Sequence, residues 1–175
     1  RNEFFKNLFG PYLTVKNDNT RLDLLDITRI ANFFYPDRIK SLLNTKGSSI
    51  MKLESIANTN GIKNFTAHDA MGDTYASLEL AKLIKNKIPD LWLNSISQGN
   101  KIQIEESIAG NPFCYLEAFF GKAKLFCLSF VDFHPKYKWA LCFDLSEDPK
   151  KVLEMNNSEV YSYLEGSPKK IRKIK

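Results

Sequence analysis

Apolar residues in the first half of the chain recur at spacings of three and four, whereas in the second half they alternate or run together. In Asp23–Phe34, the residues Leu24, Ile27, Ile30, Ala31 and Phe34 share one helical face. That spacing predicts an amphipathic helix, which Pro36 stops soon afterwards. Lys52–Asn60 predicts a second, short helix with Leu53, Ile56 and Ala57 on one face and Gly61 as a left-handed cap. A third helix is expected from about Asp69 to Lys87, where Ala70, Thr74, Ser77, Leu78, Ala81, Ile84 and Ile88 keep a helical period. Thr66 or His68 is its expected cap. Asp69 suits the positive end of the helix dipole, Lys82, Lys85 and Lys87 suit the other end, and Pro89 is expected to end the helix.

Residues 93–101, Leu-Asn-Ser-Ile-Ser-Gln-Gly-Asn-Lys, are polar and read as a linker. Beyond them the period changes to two. Phe113–Phe120, Lys124–Asp132 and Lys138–Leu145 are rich in Phe, Leu, Val, Tyr and Cys, are bounded by Gly, Pro and Asp, and predict strands. Ser146–Lys150 reads as a turn, Pro149–Met155 as a helical turn, Ser158–Leu164 as a helix capped by Ser158, and Ile171–Lys175 as a further strand. Two parts follow: a mostly helical 1–92 and a small β-domain over 102–175.

Composition narrows the class. Hydrophobic residues are 43% and aromatics 13% of 175, enough for a packed core. No apolar run reaches the roughly 18 residues that a membrane-spanning helix needs, and Arg1-Asn2-Glu3 does not read as the charged start of a signal peptide. Arg1 rather than Met stands first, and Pro168–Lys175 carries no mark of a natural end, so an internal piece of a longer protein is expected. Cys114, Cys127 and Cys142 are odd in number and lack Cys-x-x-Cys spacing, which argues against a disulfide framework and a structural zinc site. All three fall in apolar strand-like runs, and core packing in a reducing cytoplasm is the expectation. The net charge of +5 is compatible with a polyanionic partner. Five basic residues crowd Lys169–Lys175, which reads as a solvated strand or tail.

Chemistry concentrates in Asn64-Phe65-Thr66-Ala67-His68-Asp69-Ala70-Met71-Gly72-Asp73-Thr74-Tyr75. His68 stands at the mouth of the third helix and Asp73 one turn inside it, so both can reach a common cleft. A metal-bound carboxylate needs a rigid seat, and a general base needs reach and a pKa near neutrality, which suits histidine. The spacing also fits simple capping, with Asp73 as a solvated helix position.

The segment His68-Asp69-Ala70-Met71-Gly72-Asp73, followed by Tyr75-Ala76 and Ala81-Lys82-Leu83, resembles the third motif of the DEDDh exonucleases. Arg1-Asn2-Glu3-Phe4-Phe5, Asp18–Asp26, Phe120-Gly121, His134-Pro135 and Asp144-Leu145 extend the resemblance, and they point within that superfamily to exodeoxyribonuclease I. The resemblance implies an α/β fold. The first part would be the mostly helical, C-terminal portion of a ribonuclease H-like exonuclease domain, and an incomplete SH3-like β-domain would follow.

It further implies 3′→5′ hydrolysis of single-stranded DNA in repair or recombination. Four acidic residues would hold two Mg²⁺ ions about 4 Å apart, with Asp73 a metal ligand and His68 the general base. The family's first motif, Asp-x-Glu, and the Asp of its second are missing, so the chain alone is expected to be inactive. Asp23 and Asp26, three apart, read as helix-start and surface acids rather than substitutes, and Asp69 as a helix-terminal charge.

A single strand needs cations for its phosphates and aromatic faces for its bases. Lys122 and Lys124, then Lys136, Tyr137 and Lys138 in a loop at 133–139, are the expected contacts, with Arg1 and Arg21 as further phosphate partners. His134 before Pro135 reads as structural. A monomer in the cytoplasm is expected, with single-stranded DNA and a single-stranded DNA-binding protein as partners. The alternative is a non-catalytic module that binds single-stranded DNA or a protein partner. A related nuclease acting on RNA ends is a third reading.

Overall fold

The structure, a computed structural model, describes residues 14, 19, 21–99, 101–119, 122–134, 136–165 and 171–174. Arg1–Phe5, Asp18, Phe120-Gly121, Pro135 and, in the basic tail, Lys169, Lys170 and Lys175 lie outside them. The chain divides into two compact units. One comprises Arg1–Ile104 with Ala118–Ala123, and the other Glu105–Glu117 with Lys124–Lys175.

In the first unit, helix α1 (Leu24–Phe34) is capped by Asp23, whose side chain accepts from the Leu25 N–H, and Asp26 pairs with Arg29 at 2.8 Å. Both acids therefore serve the helix, as their spacing suggested. Helix α2 (Leu53–Thr59) ends at Asn60, and Gly61 follows with φ +83°, the left-handed cap. Asn60 also ties this end to the preceding loop: its side chain accepts from the Lys40 N–H and donates to the Lys40 carbonyl.

Helix α3 (Ala70–Lys87) differs from expectation in two respects. Its cap is Asp69, not Thr66 or His68: the Asp69 carboxylate accepts from the Gly72 N–H at 3.0 Å. Its buried stripe is Gly72, Ala76, Leu80 and Ile84, one residue in four, whereas Ala70, Thr74 and Leu78 face solvent. Two of those buried positions are small, so apolar periodicity weights them weakly, yet smallness lets the helix approach its neighbours. The core gathers Ile27, Ala31, Ile39, Ile56, Ala57, Ile62, Ala76, Leu80, Ile84 and Ile88.

Pro89 ends α3 but also starts the next helix. Ile88 closes α3 and caps α4 (Pro89–Ser97), where proline at the first turn costs no hydrogen bond. Residues 93–97 thus continue a helix rather than a linker, and helix α5 (Lys101–Ile108) follows. The serines that suggested a loop satisfy themselves on the helix: Ser95 Oγ donates to the Leu91 carbonyl and Ser97 Oγ to that of Asn94. Leu91 and Trp92 pack on the core. The β region accordingly starts at Phe113, not near 102.

A sheet of order β1-β2-β3-β4, all but its Ala118–Ala123 portion in the second unit, comprises β1 Phe113–Phe119, β2 Lys122–Phe133, β3 Ala140–Asp144 and β4 Ile171–Ile174. Strands β2 and β3 are antiparallel, with Leu128 opposite Asp144 and an irregularity between Phe130 and Asp132; β3 and β4 are antiparallel, with Ala140 opposite Ile174. Strand β3 is shorter than the expected Lys138–Leu145, because Lys138 takes φ +56° and belongs to the turn. Phe126, Leu128, Ala140 and Cys142 form a small core, with Phe113, Tyr115, Phe130 and Phe133 against it.

Of the three thiols only Cys142 is buried, and Cys114 and Cys127 are exposed, contrary to the expectation that all three pack inside. Strand alternation explains the difference: both exposed thiols occupy the outward phase of their strands. After β3 come α6 (Lys150–Leu153) and α7 (Asn157–Glu165). The cap of α7 is Asn156 rather than Ser158. The Asn156 side chain accepts from the Glu159 N–H at 3.1 Å, and the Glu159 carboxylate accepts from the Asn156 N–H at 2.8 Å, a reciprocal box.

Candidate active site

The turn that enters α3 has an unusual backbone. Asn64 and His68 both have positive φ, +65° and +64°, a conformation uncommon for residues with a side chain. The helix start overdetermines it. Asp69 donates its N–H to the Thr66 carbonyl at 3.4 Å, caps through Gly72, and accepts from the Asp73 N–H through its own carbonyl at 2.8 Å. The His68 N–H donates to Asp73 Oδ1 at 3.3 Å. The two residues expected to do chemistry are therefore joined, with the backbone of one held by the carboxylate of the other.

Gly72 is what lets this turn lie against the helix. A Cβ at that position would stand 2.1 Å from the Thr66 carbonyl oxygen and 2.9 Å from its nitrogen. Sequence reasoning did not single out Gly72. The available signal was a glycine inside a helical pattern, which costs about 1 kcal/mol relative to alanine and so marks a packing need.

Asp73 is half-buried in the first helical turn, and His68 is exposed on the turn before it. Beyond the His68 N–H, Asp73 has a second carboxylate oxygen with no hydrogen-bond partner among the described residues. One such oxygen is a hard ligand of the kind Mg²⁺ takes. No group of three His, Cys, Asp or Glu residues among the described residues could hold a metal. Asp73 thus fits as one member of a larger ligand set and does not make a site alone.

The expected nucleic-acid contacts fall into two groups. Arg21 is exposed and donates through Nε and a terminal nitrogen to Thr14 Oγ1, the former at 2.8 Å. Arg1 lies outside the described residues. In the first unit, Lys122 lines a cleft of about 670 Å³ with Arg29, Lys40, Asn32, Phe33 and Ser41. Arg29 and Lys40 were not among the expected contacts. Their cationic heads come from separate segments, and no linear pattern joins them.

In the second unit, Lys136, Tyr137 and Lys138 are brought together in the β2–β3 turn. His134 organises it: Nδ1 accepts from the Lys136 and Tyr137 N–H groups, both at 3.2 Å, while its own N–H donates to the Trp139 carbonyl at 2.8 Å. Two N–H groups at Nδ1 fix the ring proton on Nε2. Tyr137 stacks on Trp139 with ring centroids 4.7 Å apart, and Lys136 Nζ lies 5.3 Å from the Tyr137 ring. Tyr137 remains half exposed. Lys124 stands apart from this cluster, with Nζ 4.7 Å from the Phe126 ring.

Sequence comparison finds curated relatives over most of the chain. The chain is 31% identical over 164 residues to exodeoxyribonuclease I of Escherichia coli K12, covering 90% of this chain and 34% of that protein. The chain is homologous to a segment of exodeoxyribonuclease I. A crystal structure of E. coli exonuclease I in complex with a dT13 oligonucleotide superposes with a TM-score of 0.74 at 27% identity, over 99% of this chain and 41% of that one. A complex named ExoI/SSB-Ct superposes with a TM-score of 0.72 at 26% identity, over 99% of this chain and 40% of that one. The chain spans about a third of the length of the curated exodeoxyribonuclease I relatives it matches. No family model matches it.

Proposed function

We propose that this chain is part of a Mg²⁺-dependent 3′→5′ exonuclease acting on single-stranded DNA in repair or recombination. The observation that carries the reading is the turn into α3, where the His68 N–H rests on Asp73 Oδ1 and leaves the other carboxylate oxygen open. Asp73 is rigidly seated on the helix and serves as a metal ligand. His68 stands on the turn, with its imidazole toward solvent, and takes the proton of the attacking water. Asp73, together with the acidic residues of the full set, would hold two Mg²⁺ ions, which would supply charge stabilisation at the scissile phosphate.

The helical unit is read as the end of a ribonuclease H-like domain and the sheet unit as the start of an SH3-like domain. Lys136, Tyr137 and Lys138 contact the strand from the second unit, and Arg21, Lys122 and Lys124 supply further phosphate contacts. Homology to a protein solved with a dT13 oligonucleotide supports single-stranded DNA as substrate, and the complex named ExoI/SSB-Ct supports a docking partner of that kind. No helix among the described residues is long and apolar enough to cross a membrane. A monomer in the cytoplasm completes the reading.

The 175-residue chain holds two of the five catalytic residues, so alone it does not cleave. The test is Mg²⁺-dependent trimming of a 5′-labelled oligonucleotide by the purified chain. No shortening is expected, and a ladder of shortened products would refute this. A module that only binds DNA is the second reading, favoured by the Tyr137–Trp139 stack beside two lysines. It predicts tight binding with no cleavage in any longer version of the protein. Comparing DNA with RNA strands separates the third reading.

A further inference from the structure

Strands β1 and β2 are joined by two residues, because β1 ends at Phe119 and β2 begins at Lys122. They are hydrogen-bonded neighbours in the sheet, and so short a connection makes them antiparallel. A two-residue hairpin connection pairs the residues that flank it, and on that register Glu117 lies opposite Lys124, Tyr115 opposite Phe126 and Cys114 opposite Cys127. Burial agrees with this register. Phe113 and Tyr115 pack with Phe126 and Leu128 on the inner face, while Cys114 and Cys127 are both exposed on the outer one.

A second observation fixes the kind of pair. The Cys127 carbonyl accepts from the Leu145 N–H at 2.9 Å, so this carbonyl points toward the β3 side and away from β1. Toward β1 it is therefore a non-hydrogen-bonded position, where facing Cα atoms stand about 4.5 Å apart and side chains are closest. That separation falls within the range that a disulfide spans.

We infer that Cys114 and Cys127 form a cross-strand dithiol that closes to a disulfide on meeting a small-molecule disulfide. One thiolate attacks a sulfur of the reagent, forms a mixed disulfide and releases one thiol. The second thiolate then attacks the protein-side sulfur and expels the other thiol. Two protein thiols are oxidised and the reagent is reduced to two thiols. The bond would staple the hairpin that carries Lys122 and Lys124. Cys142 takes no part: it is buried on the inner face, and burial pushes its thiol up to about 11, which keeps it protonated.

The test is to incubate the native 175-residue chain with oxidised glutathione, block remaining thiols with iodoacetamide, and map peptides without reduction. The expected product is one intramolecular link between Cys114 and Cys127, reversed by dithiothreitol, with the protein lighter by two hydrogen atoms. The Cys114→Ser variant should instead stop at a glutathione adduct on Cys127. Stable glutathione adducts on both residues of the wild-type chain would overturn the inference. So would intermolecular dimers as the sole product, links to Cys142, or no reaction.

Discussion

Replacing Gly72 with alanine tests the packing of the turn that carries His68. The added Cβ would stand 2.1 Å from the Thr66 carbonyl oxygen and 3.0 Å from the Thr66 carbonyl carbon. Both are backbone atoms, so no rotamer relieves the overlap, and helix and turn must separate by about 1 Å to restore ordinary contact. Overpacking of this kind costs about 1–3 kcal/mol, and an overlap with backbone belongs at the upper end. Alanine returns about 1 kcal/mol through its better helix propensity. The net loss is therefore about 2 kcal/mol. With a urea slope of roughly 2 kcal/mol/M, the midpoint should fall by about 1 M. Trp92, packed on the core of the first unit, reports the transition by fluorescence once Trp139 of the second unit is replaced by phenylalanine. The neighbouring Met71, 76% exposed, provides the control: Met71→Ala should move stability by no more than about 0.5 kcal/mol. A Gly72→Ala protein as stable as wild type, or more so, would show that Thr66 does not rest on the helix.

Asp69→Ala removes the only side-chain cap of α3 and should cost about 1 kcal/mol in the same urea titration. Cys142 makes stability alkali-sensitive: its thiol titrates near 9.0 in the unfolded chain and near 11 in the fold, so its contribution is complete below pH 9 and is lost as pH rises through 11. Cys142→Ala should lower the urea midpoint at pH 8 and remove roughly 1–3 kcal/mol of the decline over that window. For DNA, Lys136→Ala and Lys138→Ala should each weaken single-strand binding and reduce the salt slope of affinity by about 1, measured by fluorescence anisotropy across a salt series. Unchanged slopes would remove the β2–β3 turn from the interface.

Legibility in the sequence followed the physics of each segment. The helix at Leu24–Phe34 was readable because its cap, its apolar stripe and its terminating proline all agree. The start of α7 was misplaced because Asn156 and Glu159 cap it reciprocally, a pairing that competes with the more obvious Ser158. Residues 93–97 were read as a linker because serine and asparagine favour turns, but serine hydroxyls bonded back to the preceding helical turn hide the same residues in a helix. The His68–Asp73 spacing was visible at once. What the spacing could not carry was the link itself, a backbone N–H on a carboxylate oxygen, or the part played by Gly72, whose role depends on the Thr66 backbone six residues earlier. The cleft cations Arg29 and Lys40 were hidden for a related reason, since they line the same cleft as Lys122 only in the folded unit.

The most direct test of the catalytic reading is degradation of a 5′-labelled single-stranded oligonucleotide by the longest polypeptide whose reading frame contains these 175 residues, as wild type and as Asp73→Asn. With Mg²⁺ present, the wild type should shorten the strand from its 3′ end, while Asp73→Asn should lose at least about a hundredfold in rate and keep its DNA affinity. An Asp73→Asn protein that degrades the strand at the wild-type rate would contradict the account.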